Sequence, residues 1–359
     1  MRHDLWNKTL KRKKNPYFES KLDHLDHNER TKILKQASRL RKEALARGGR
    51  RASLGDLIHE VTATPGALNM PTESGTVTWI GAKSARINEL EVDLNGHRAV
   101  VGDVVRYARF AEHLRIIAVE PRRTKLARPN VGNANVEQVL VANVDLVGIV
   151  VSVTSPPLHP RLIDRYLVAI QLGGAEPVLV VNKADLLDAE HLNKELEKVR
   201  PYRALGIRNV ICSASSGFGI DALRASIAGK VCAFVGHSGV GKSSIVNALA
   251  PQVQAETGDL MRGYGRGAHT TTASSMFEVG NGTRLIDTPG IRSFGLGKMT
   301  LGELESAFPE FGEFSCKFRD CSHRHEPGCG VREAIQQGVM FPERYETYLR
   351  LLEEVVPGS

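Results

Sequence analysis

Three short segments carry residue types suited to nucleotide chemistry. Asn182, Lys183 and Asp185 form an NKxD element, Gly236 to Ser243 a GxxxxGKS element, and Asp287 to Gly290 the sequence DTPG. Glycines in a GxxxxGKS loop let backbone N–H groups approach an anion, its lysine adds charge at the β and γ oxygens of a phosphate chain, and its hydroxyl ligates magnesium. The candidate phosphate contacts are Gly236, His237, Ser238, Gly239, Val240, Gly241, Lys242, Ser243 and Ser244. An apolar strand-like run, Val231 to Val235, precedes them and a helix-forming segment, Ser244 to Ala250, follows. That is the context a phosphate loop requires.

Asp185 decides the base. A carboxylate accepts two hydrogen bonds from guanine N1 and its exocyclic amine, and adenine offers no matching pair of donors. Asn182, Lys183 and Asp185 follow the apolar run Pro177 to Val181, and Ser213 and Ala214 follow the next one, Asn209 to Cys212, as a second base-contacting loop. GTP and GDP are therefore the expected ligands, with Mg2+ as cofactor.

Asp287 supplies a carboxylate for magnesium, and the Gly290 amide is placed to sense the γ-phosphate. Between the phosphate loop and Asp287 lies a glycine-rich stretch, Gly258 to Thr272, with Thr271 or Thr272 expected to complete the magnesium shell, as switch segments do. The expected magnesium set is Ser243, Thr271, Thr272 and Asp287. Position 291 is Ile, where many GTPases carry the glutamine that orients water, so intrinsic hydrolysis should be slow. His269 is the leading replacement, with Arg266 or a partner residue as competitors. The candidate catalytic set is His269, Lys242 and Thr271. Gly239 stands where potassium-activated GTPases often place Asn, so potassium dependence is not indicated.

The order of these segments carries information of its own. An ordinary GTPase has its phosphate loop first and its base-reading motif last, whereas here NKxD precedes GxxxxGKS and DTPG follows. The chain reads as a circularly permuted GTPase.

A second chemistry lies further on. Cys316, Cys321, His323 and Cys329 offer four soft or borderline ligands within 14 residues, a set suited to closed tetrahedral zinc. His325 is the rival fourth ligand. With three thiolate-type ligands and no evident open position, the expectation is one structural Zn2+. The remaining cysteines, Cys212 and Cys232, read as buried small hydrophobes in strands.

The elements that must position these groups follow from pattern. With 359 residues at 42% hydrophobic content, the chain can bury more than one core. Residues 1 to 51 hold 16 Lys/Arg against 6 Asp/Glu, while the remainder holds 32 against 34. A basic arm on a near-neutral body suggests a polyanion partner. Within it, Glu29 to Ala46 has helix-forming composition, and Thr62 to Gly75 reads as a linker. Strand-like runs at Thr76 to Ile80, Ile87 to Asp93, Val100 to Val105 and Leu114 to Val119 fit a small barrel such as the OB-fold. Trp79 and Tyr107 are its candidates for base stacking. From Val136 the pattern is that of a parallel α/β sheet, with further strands at Val144 to Val153 and Arg284 to Ile286. Helical patterns at Val331 to Gln337 and Pro342 to Val355 close the chain, with Arg332, Arg344 and Arg350 either contacting nucleic acid or lying on solvated faces. No apolar run approaches the roughly 20 residues that span a bilayer. The expected protein is soluble, cytoplasmic and monomeric, without membrane contact.

The fold class expected is multidomain α/β: a basic arm and linker (1–70), an OB-fold β-barrel (71–125), a circularly permuted P-loop GTPase domain (126–300) and a zinc-binding helical domain (301–359). The joined series VVGDVV (100–105), EPRRTKLARP (120–129), NKADLL (182–187), CSASSGFGI (212–220), GHSGVGKSS (236–244), GAHTTT (267–272), DTPGIRSFGL (287–296) and CKFRDCSHRHEPGC (316–329) resembles the ribosome small-subunit-dependent GTPase A family. These are circularly permuted GTPases that assist late maturation of the bacterial 30S subunit. The resemblance covers roughly residues 75 to 355. It implies an OB-fold, C-terminal zinc, the 30S subunit with its 16S rRNA as partner, hydrolysis stimulated by that subunit, and a release checkpoint. By position it supports Lys242, Ser243, Asn182, Lys183 and Asp185 for nucleotide, Cys316, Cys321, His323 and Cys329 for zinc, and His269 for hydrolysis. The rival readings are a GTPase serving tRNA modification or the large subunit, and a non-hydrolysing RNA-binding scaffold. Intact Lys242, Ser243 and Asp287 argue against the scaffold.

Overall fold

The computed structural model describes residues 72–110, 113–130, 133–251, 274–287 and 296–356, residues 133–136 by backbone alone. The basic arm, the candidate helix Glu29 to Ala46 and most of the Thr62 to Gly75 segment lie outside the described residues. So do Arg266, His269, Thr271, Thr272, Gly290 and Ile291.

Five strands form the first layer: β1 (Glu73–Ile80), β2 (Ser84–Ile87), β3 (Leu90–Asp93), β4 (Val104–Phe110) and β5 (His113–Val119). Their order is β1-β2-β3-β5-β4, and β4 pairs back onto β1, which closes an OB-like barrel. Val77, Ala85, Ile87, Val92, Val105, Tyr107 and Ile116 fill its interior. The single strand expected over Ile87 to Asp93 is instead a hairpin. Asn88 and Glu89 take positive φ (50° and 66°), turning the chain so that Ile87 pairs with Leu90. The strand expected at Val100 begins only at Val104, because the Asp103 N–H returns to the Val100 carbonyl at 3.1 Å. Gly102 has φ +92°, and a β-carbon there would lie 1.9 Å from the Ala142 carbonyl oxygen. Glycine is required at that approach. Tyr107 is 2% exposed, so it is core and unavailable for base stacking. Trp79 is half-buried with the Arg86 guanidinium 5.5 Å from its ring centroid.

Pattern reading passed over the next element, an antiparallel ribbon of β6 (Lys125–Asn130) and β7 (Asn133–Ala142). Fully buried Asp103 ties the barrel to the ribbon's root, its carboxylate accepting from Arg122 at 2.7 and 2.9 Å and from the Val100 N–H at 2.8 Å.

The main sheet contains β8 (Leu146–Ser152), β9 (Glu176–Asn182), β10 (Arg208–Ile211), β11 (Val231–Val235), β12 (Ser274–Glu278) and β13 (Arg284–Asp287). Their order is β10-β9-β8-β11-β13-β12, parallel except for β12. Helices α1 (Pro160–Leu172), α2 (Ala189–Glu197), α3 (Arg200–Ala204), α4 (Ile220–Ser226) and α5 (Lys242–Leu249) complete it. Alternate strand residues serve opposite faces. Val147, Ile149, Leu179, Val181 and Val235 pack with Ile163, Tyr166 and Tyr202, while Leu146, Val150, Val178, Val180 and Phe234 pack with Leu223, Ile245 and Leu249. The chain runs outward from β8 to β10 and returns to place β11 on the other side of β8. Strand order therefore reverses between β8 and β11, where a doubly wound sheet opens its ligand crevice. Beyond β13, β12 also pairs with β1, Trp79 opposite Ser275, so the sheet continues into the barrel.

Helices α6 (Leu301–Ser306), α7 (Gly330–Gln336) and α8 (Pro342–Val355) form the last unit, around Phe308, Phe311, Val331, Tyr348 and Leu352. Arg344, considered above as a nucleic-acid contact, is 3% exposed and bonded to Asp164. It is a core residue. Among the described residues, no helix is long and apolar enough to cross a membrane.

Candidate nucleotide site and metal centre

The carboxyl ends of β9, β10 and β11 bring three separate segments together. Gly236 leaves β11 with φ +147°, and Gly239 and Gly241 take φ +84° and +94°. Gly241 caps α5 in the left-handed region, so the loop leads directly into the helix N-terminus, the positive end of its dipole. The Lys242 Nζ donates to the carbonyls of Gly236 and His237, both at 2.7 Å. Ser243 and Ser244 are exposed at the first turn of α5. His237, Ser238 and Gly239 are exposed and Val240 is buried, with the His237 Nδ1 2.9 Å from the Ser238 carbonyl.

Asn182 ends β9 and is 2% exposed. Its amide nitrogen donates to the Val240 carbonyl at 2.9 Å, and its oxygen accepts from the Ala214 N–H at 3.1 Å. A β-carbon on Gly241 would lie 2.3 Å from that amide nitrogen, so the glycine makes room for Asn182. One side chain thus joins all three loops. Lys183 follows with φ +65° and donates to the Ser155 carbonyl. Asp185 is exposed, and its Oδ2 accepts from the Ser215 hydroxyl at 3.0 Å. The hydroxyl of Ser213, followed by that of Ser215, holds the Asp185 carboxyl below the usual carboxylate range. A pre-ionised acceptor is what recognition of two guanine donors needs. Asp287 ends β13 and is exposed.

Two contributors escaped sequence reasoning. Ser215 belongs to the run Ser213 to Ser216, whose composition marks a turn without saying which hydroxyl reaches Asp185. The segment Ser152 to Pro156 carries no motif, yet Ser155 receives Lys183 and the Pro156 ring lies 3.5 Å from where a β-carbon on Gly239 would stand. Cys212 and Cys232 are buried, and burial pushes both thiols up to about 12, so neither is a reactive thiolate.

The second centre is a cluster of Cys316, Cys321, His323 and Cys329, whose ligand atoms lie within 4.8 Å of one another. The His323 Nδ1 is 3.5 Å from the Cys316 sulfur, 3.7 Å from Cys321 and 3.4 Å from Cys329, and the Cys316 and Cys329 sulfurs are 3.9 Å apart. Tetrahedral zinc with bonds of about 2.3 Å to sulfur and about 2.0 Å to nitrogen sets donor separations of roughly 3.5–3.8 Å. The residues fit that ion. His325 is exposed and outside the cluster, so His323 is the histidine that lies with the three sulfurs. The Nε2 of His323 lies 3.6 Å from a carboxylate oxygen of Glu305. Glu326 fixes the intervening loop, accepting from the N–H groups of Ser322, Arg324 and His325 at 2.9, 3.0 and 3.1 Å.

With this geometry in place, comparison with known proteins is specific. A sequence profile described as RsgA GTPase matches residues 119–297. A protein of Pseudomonas aeruginosa named Small ribosomal subunit biogenesis GTPase RsgA is 36% identical over 324 residues, covering 88% of this chain and 93% of its own length. A protein of the same name from Actinobacillus succinogenes is 40% identical over 260 residues, covering 70% and 74%. The crystal structure of YjeQ from Thermotoga maritima superposes with a TM-score of 0.65 at 31% identity, covering 79% of this chain and 99% of that one. YloQ, a circularly permuted GTPase, superposes at 0.62 with 23% identity, covering 79% and 95%, and speaks to the fold alone. Inverted motif order, sheet topology and relatives aligned over 74% to 93% of their own length agree, and the chain belongs to the RsgA family of circularly permuted GTPases.

Proposed function

We propose that this protein binds the small ribosomal subunit and hydrolyses GTP to GDP and phosphate on it during late 30S maturation, the subunit stimulating hydrolysis and the turnover serving as a release checkpoint. The partner class rests on the relatives named as small-subunit biogenesis GTPases. The observation that carries the nucleotide reading is the pair of bonds from Asn182 to the Val240 carbonyl and the Ala214 N–H, since they assemble a base-reading pocket beside a phosphate loop.

In this reading the backbone from Gly236 to Ser244 surrounds the phosphates. Lys242 exchanges its two loop carbonyls for phosphate oxygens, and Asp185, with Asn182, Lys183, Ser213 and Ala214, holds guanine. Ser243 and Asp287, with Thr271 or Thr272, hold magnesium, which neutralises charge on the phosphate oxygens. Gly290 contacts the γ-phosphate. His269 supplies the polar group that Ile291 lacks. Cys316, Cys321, His323 and Cys329 hold one structural zinc, which would lock the loop between them. The four-part division at residues 70, 125 and 300, a monomeric state and a cytoplasmic setting belong to the same proposal, with 16S rRNA as the surface contacted.

The test is single-turnover GTP hydrolysis at stated salt with purified 30S, 50S or tRNA. Stimulation by 30S alone is expected, and stimulation by either of the others in its place would overturn the assignment. His269→Ala should abolish the stimulated rate while leaving GDP affinity unchanged. An unaltered stimulated rate would remove His269 from the mechanism.

A further inference from the structure

His323 is fixed from several directions. Its backbone stands in the left-handed region, φ +60°, and its carbonyl accepts the Tyr345 hydroxyl at 2.6 Å. A residue other than glycine keeps that conformation only where its surroundings over-determine it. The Phe311 ring meets the imidazole at 80° with centroids 5.2 Å apart, and the Tyr348 ring lies 6.0 Å away.

The two ring nitrogens have different surroundings. Nδ1 lies 3.5, 3.7 and 3.4 Å from the sulfurs of Cys316, Cys321 and Cys329, so it is the nitrogen placed to give its lone pair to a metal. A neutral imidazole that ligates through Nδ1 carries its proton on Nε2. That nitrogen, on the other side of the ring, has a carboxylate oxygen of Glu305 3.6 Å from it. Glu326 is engaged elsewhere, its oxygens accepting from the N–H groups of Ser322, Arg324 and His325 and from the Ser322 hydroxyl.

Glu305 lies on α6, beside fully buried Leu304 and two residues after Glu303, which forms the capping box with Thr300. The metal loop is tied to α8 by the Tyr345 and Tyr348 hydroxyls on the carbonyls of His323 and Ser322, and by Arg324 on Glu353. Glu305 and His323 join the same loop to a second helix.

We propose that Glu305 is a positioning residue for the metal: its carboxylate accepts the His323 Nε2 proton, fixes the tautomer that presents Nδ1, and ties α6 to the metal loop. A carboxylate behind a ligating histidine raises the basicity of the imidazole and holds its plane, which strengthens the metal bond. The 3.6 Å separation is longer than a finished hydrogen bond, and the Glu305 side chain, 31% exposed, has room to close it once the imidazole N–H is polarised by metal. This rests on the assignment of zinc to Cys316, Cys321, His323 and Cys329.

The experiment uses the full zinc-loaded chain and measures zinc affinity by competition with a chromogenic chelator for wild type, Glu305→Ala, Glu305→Gln and Glu303→Ala. Nitrogen NMR spectra of isotope-labelled histidine are recorded on the same samples. Glu305→Ala should bind zinc about tenfold or more weakly. Glu305→Gln keeps the size and an acceptor but not the charge, and should recover part of that loss, to about threefold. Glu303→Ala weakens the cap of α6 without touching the imidazole, so stability should fall while zinc affinity stays at the wild-type value. In the spectra His323 should carry its proton on Nε2, and that proton's resonance should move in Glu305→Gln, a change that a purely structural role does not produce. Wild-type zinc affinity in Glu305→Ala overturns the proposal, as does an equal loss in Glu303→Ala, which would place the effect in the helix. Should Glu305→Ala fail to fold, Glu305→Gln decides, and an unmoved Nε2 proton with unaltered zinc affinity overturns the proposal. A wild-type protein that folds and holds no zinc would instead reject the metal assignment beneath it.

Discussion

The Asn182 amide donates to the Val240 carbonyl at 2.9 Å, so two loops 58 residues apart in the chain behave as one structure. Circular permutation moved the base-reading segment ahead of the phosphate loop without separating them, because both emerge at the carboxyl ends of strands flanking β8. Asn182→Ala removes this bond and the one to Ala214, and leaves a buried carbonyl and N–H unpaired. GDP affinity should fall by more than tenfold, with stability lowered by about 2 kcal/mol. Calorimetric titration and urea unfolding of the same sample check both.

Base choice is separable from affinity. Asp185→Asn replaces a double acceptor with one donor and one acceptor, which no longer matches the two donors of guanine but does match the 2-oxo group and N1–H of xanthine. GTP should lose at least about a hundredfold in kcat/KM while XTP becomes a substrate. Because Asp185 is exposed, the melting temperature should hardly change. Equal loss of both nucleotides would mean that Asp185 supports the loop and does not read the base.

How much of this was legible beforehand depends on whether the information is contiguous. Asn182, Lys242 and Asp287 announce themselves because each sits in a short motif behind an apolar strand, and the permutation follows from order alone. Ser155 and Ser215 carry no motif, and their contacts with Lys183 and Asp185 exist only once the loops after β8 and β10 are folded beside the phosphate loop. His323 and His325 could not be separated by spacing, and only the folded loop shows His323 beside the three sulfurs with His325 exposed. The barrel was legible as strands without their turns. Positive φ at Asn88 and Glu89 divided one apparent strand into two, and the turn closed by the Asp103 N–H on the Val100 carbonyl delayed another.

Metal should be structural. Cys321 and Cys329 lie in the same apolar cluster as Phe308, Phe311 and Tyr348, so the ligand set is part of the C-terminal core. One zinc per chain is expected by elemental analysis. Chelation should lower the melting temperature of the whole protein by at least several degrees and restore it on zinc addition. Cys321→Ser should do the same without rescue. A folded, metal-free preparation with an unchanged melting temperature would rule out the structural role.

Acid should weaken the junction between the starts of the central strands β8 and β11 through Asp145. Burial works to raise this carboxyl, but the Val231 N–H at 2.8 Å, followed by the Arg123 guanidinium at 2.6 Å, outweighs it and leaves the group below the usual range. A depressed carboxyl stabilises the fold above its unfolded pKa of about 3.9 and loses that contribution as pH falls through the lower folded value. Asp145→Asn should therefore be less stable than wild type near neutrality, with the difference shrinking below pH ~4. A constant difference down to acid pH would show that the carboxylate charge is immaterial.

Arg344 offers the clearest separation of charge from packing. It is 3% exposed, with Asp164 and Glu310 each at 2.7 Å and its guanidinium 4.5 Å from the Phe308 ring centroid. One buried cation faces two carboxylates, so removing either kind of partner has unequal consequences. Arg344→Met keeps most of the apolar stem and leaves two acids uncompensated, which should cost about 3–5 kcal/mol. Asp164→Asn leaves Arg344 balanced by Glu310 and keeps an acceptor in place, so a loss of about 1–2 kcal/mol is expected. Urea unfolding of the two variants gives the order directly. Equal losses would mean that the contact between α1 and α8 is held by apolar packing, with the ion pair incidental to it.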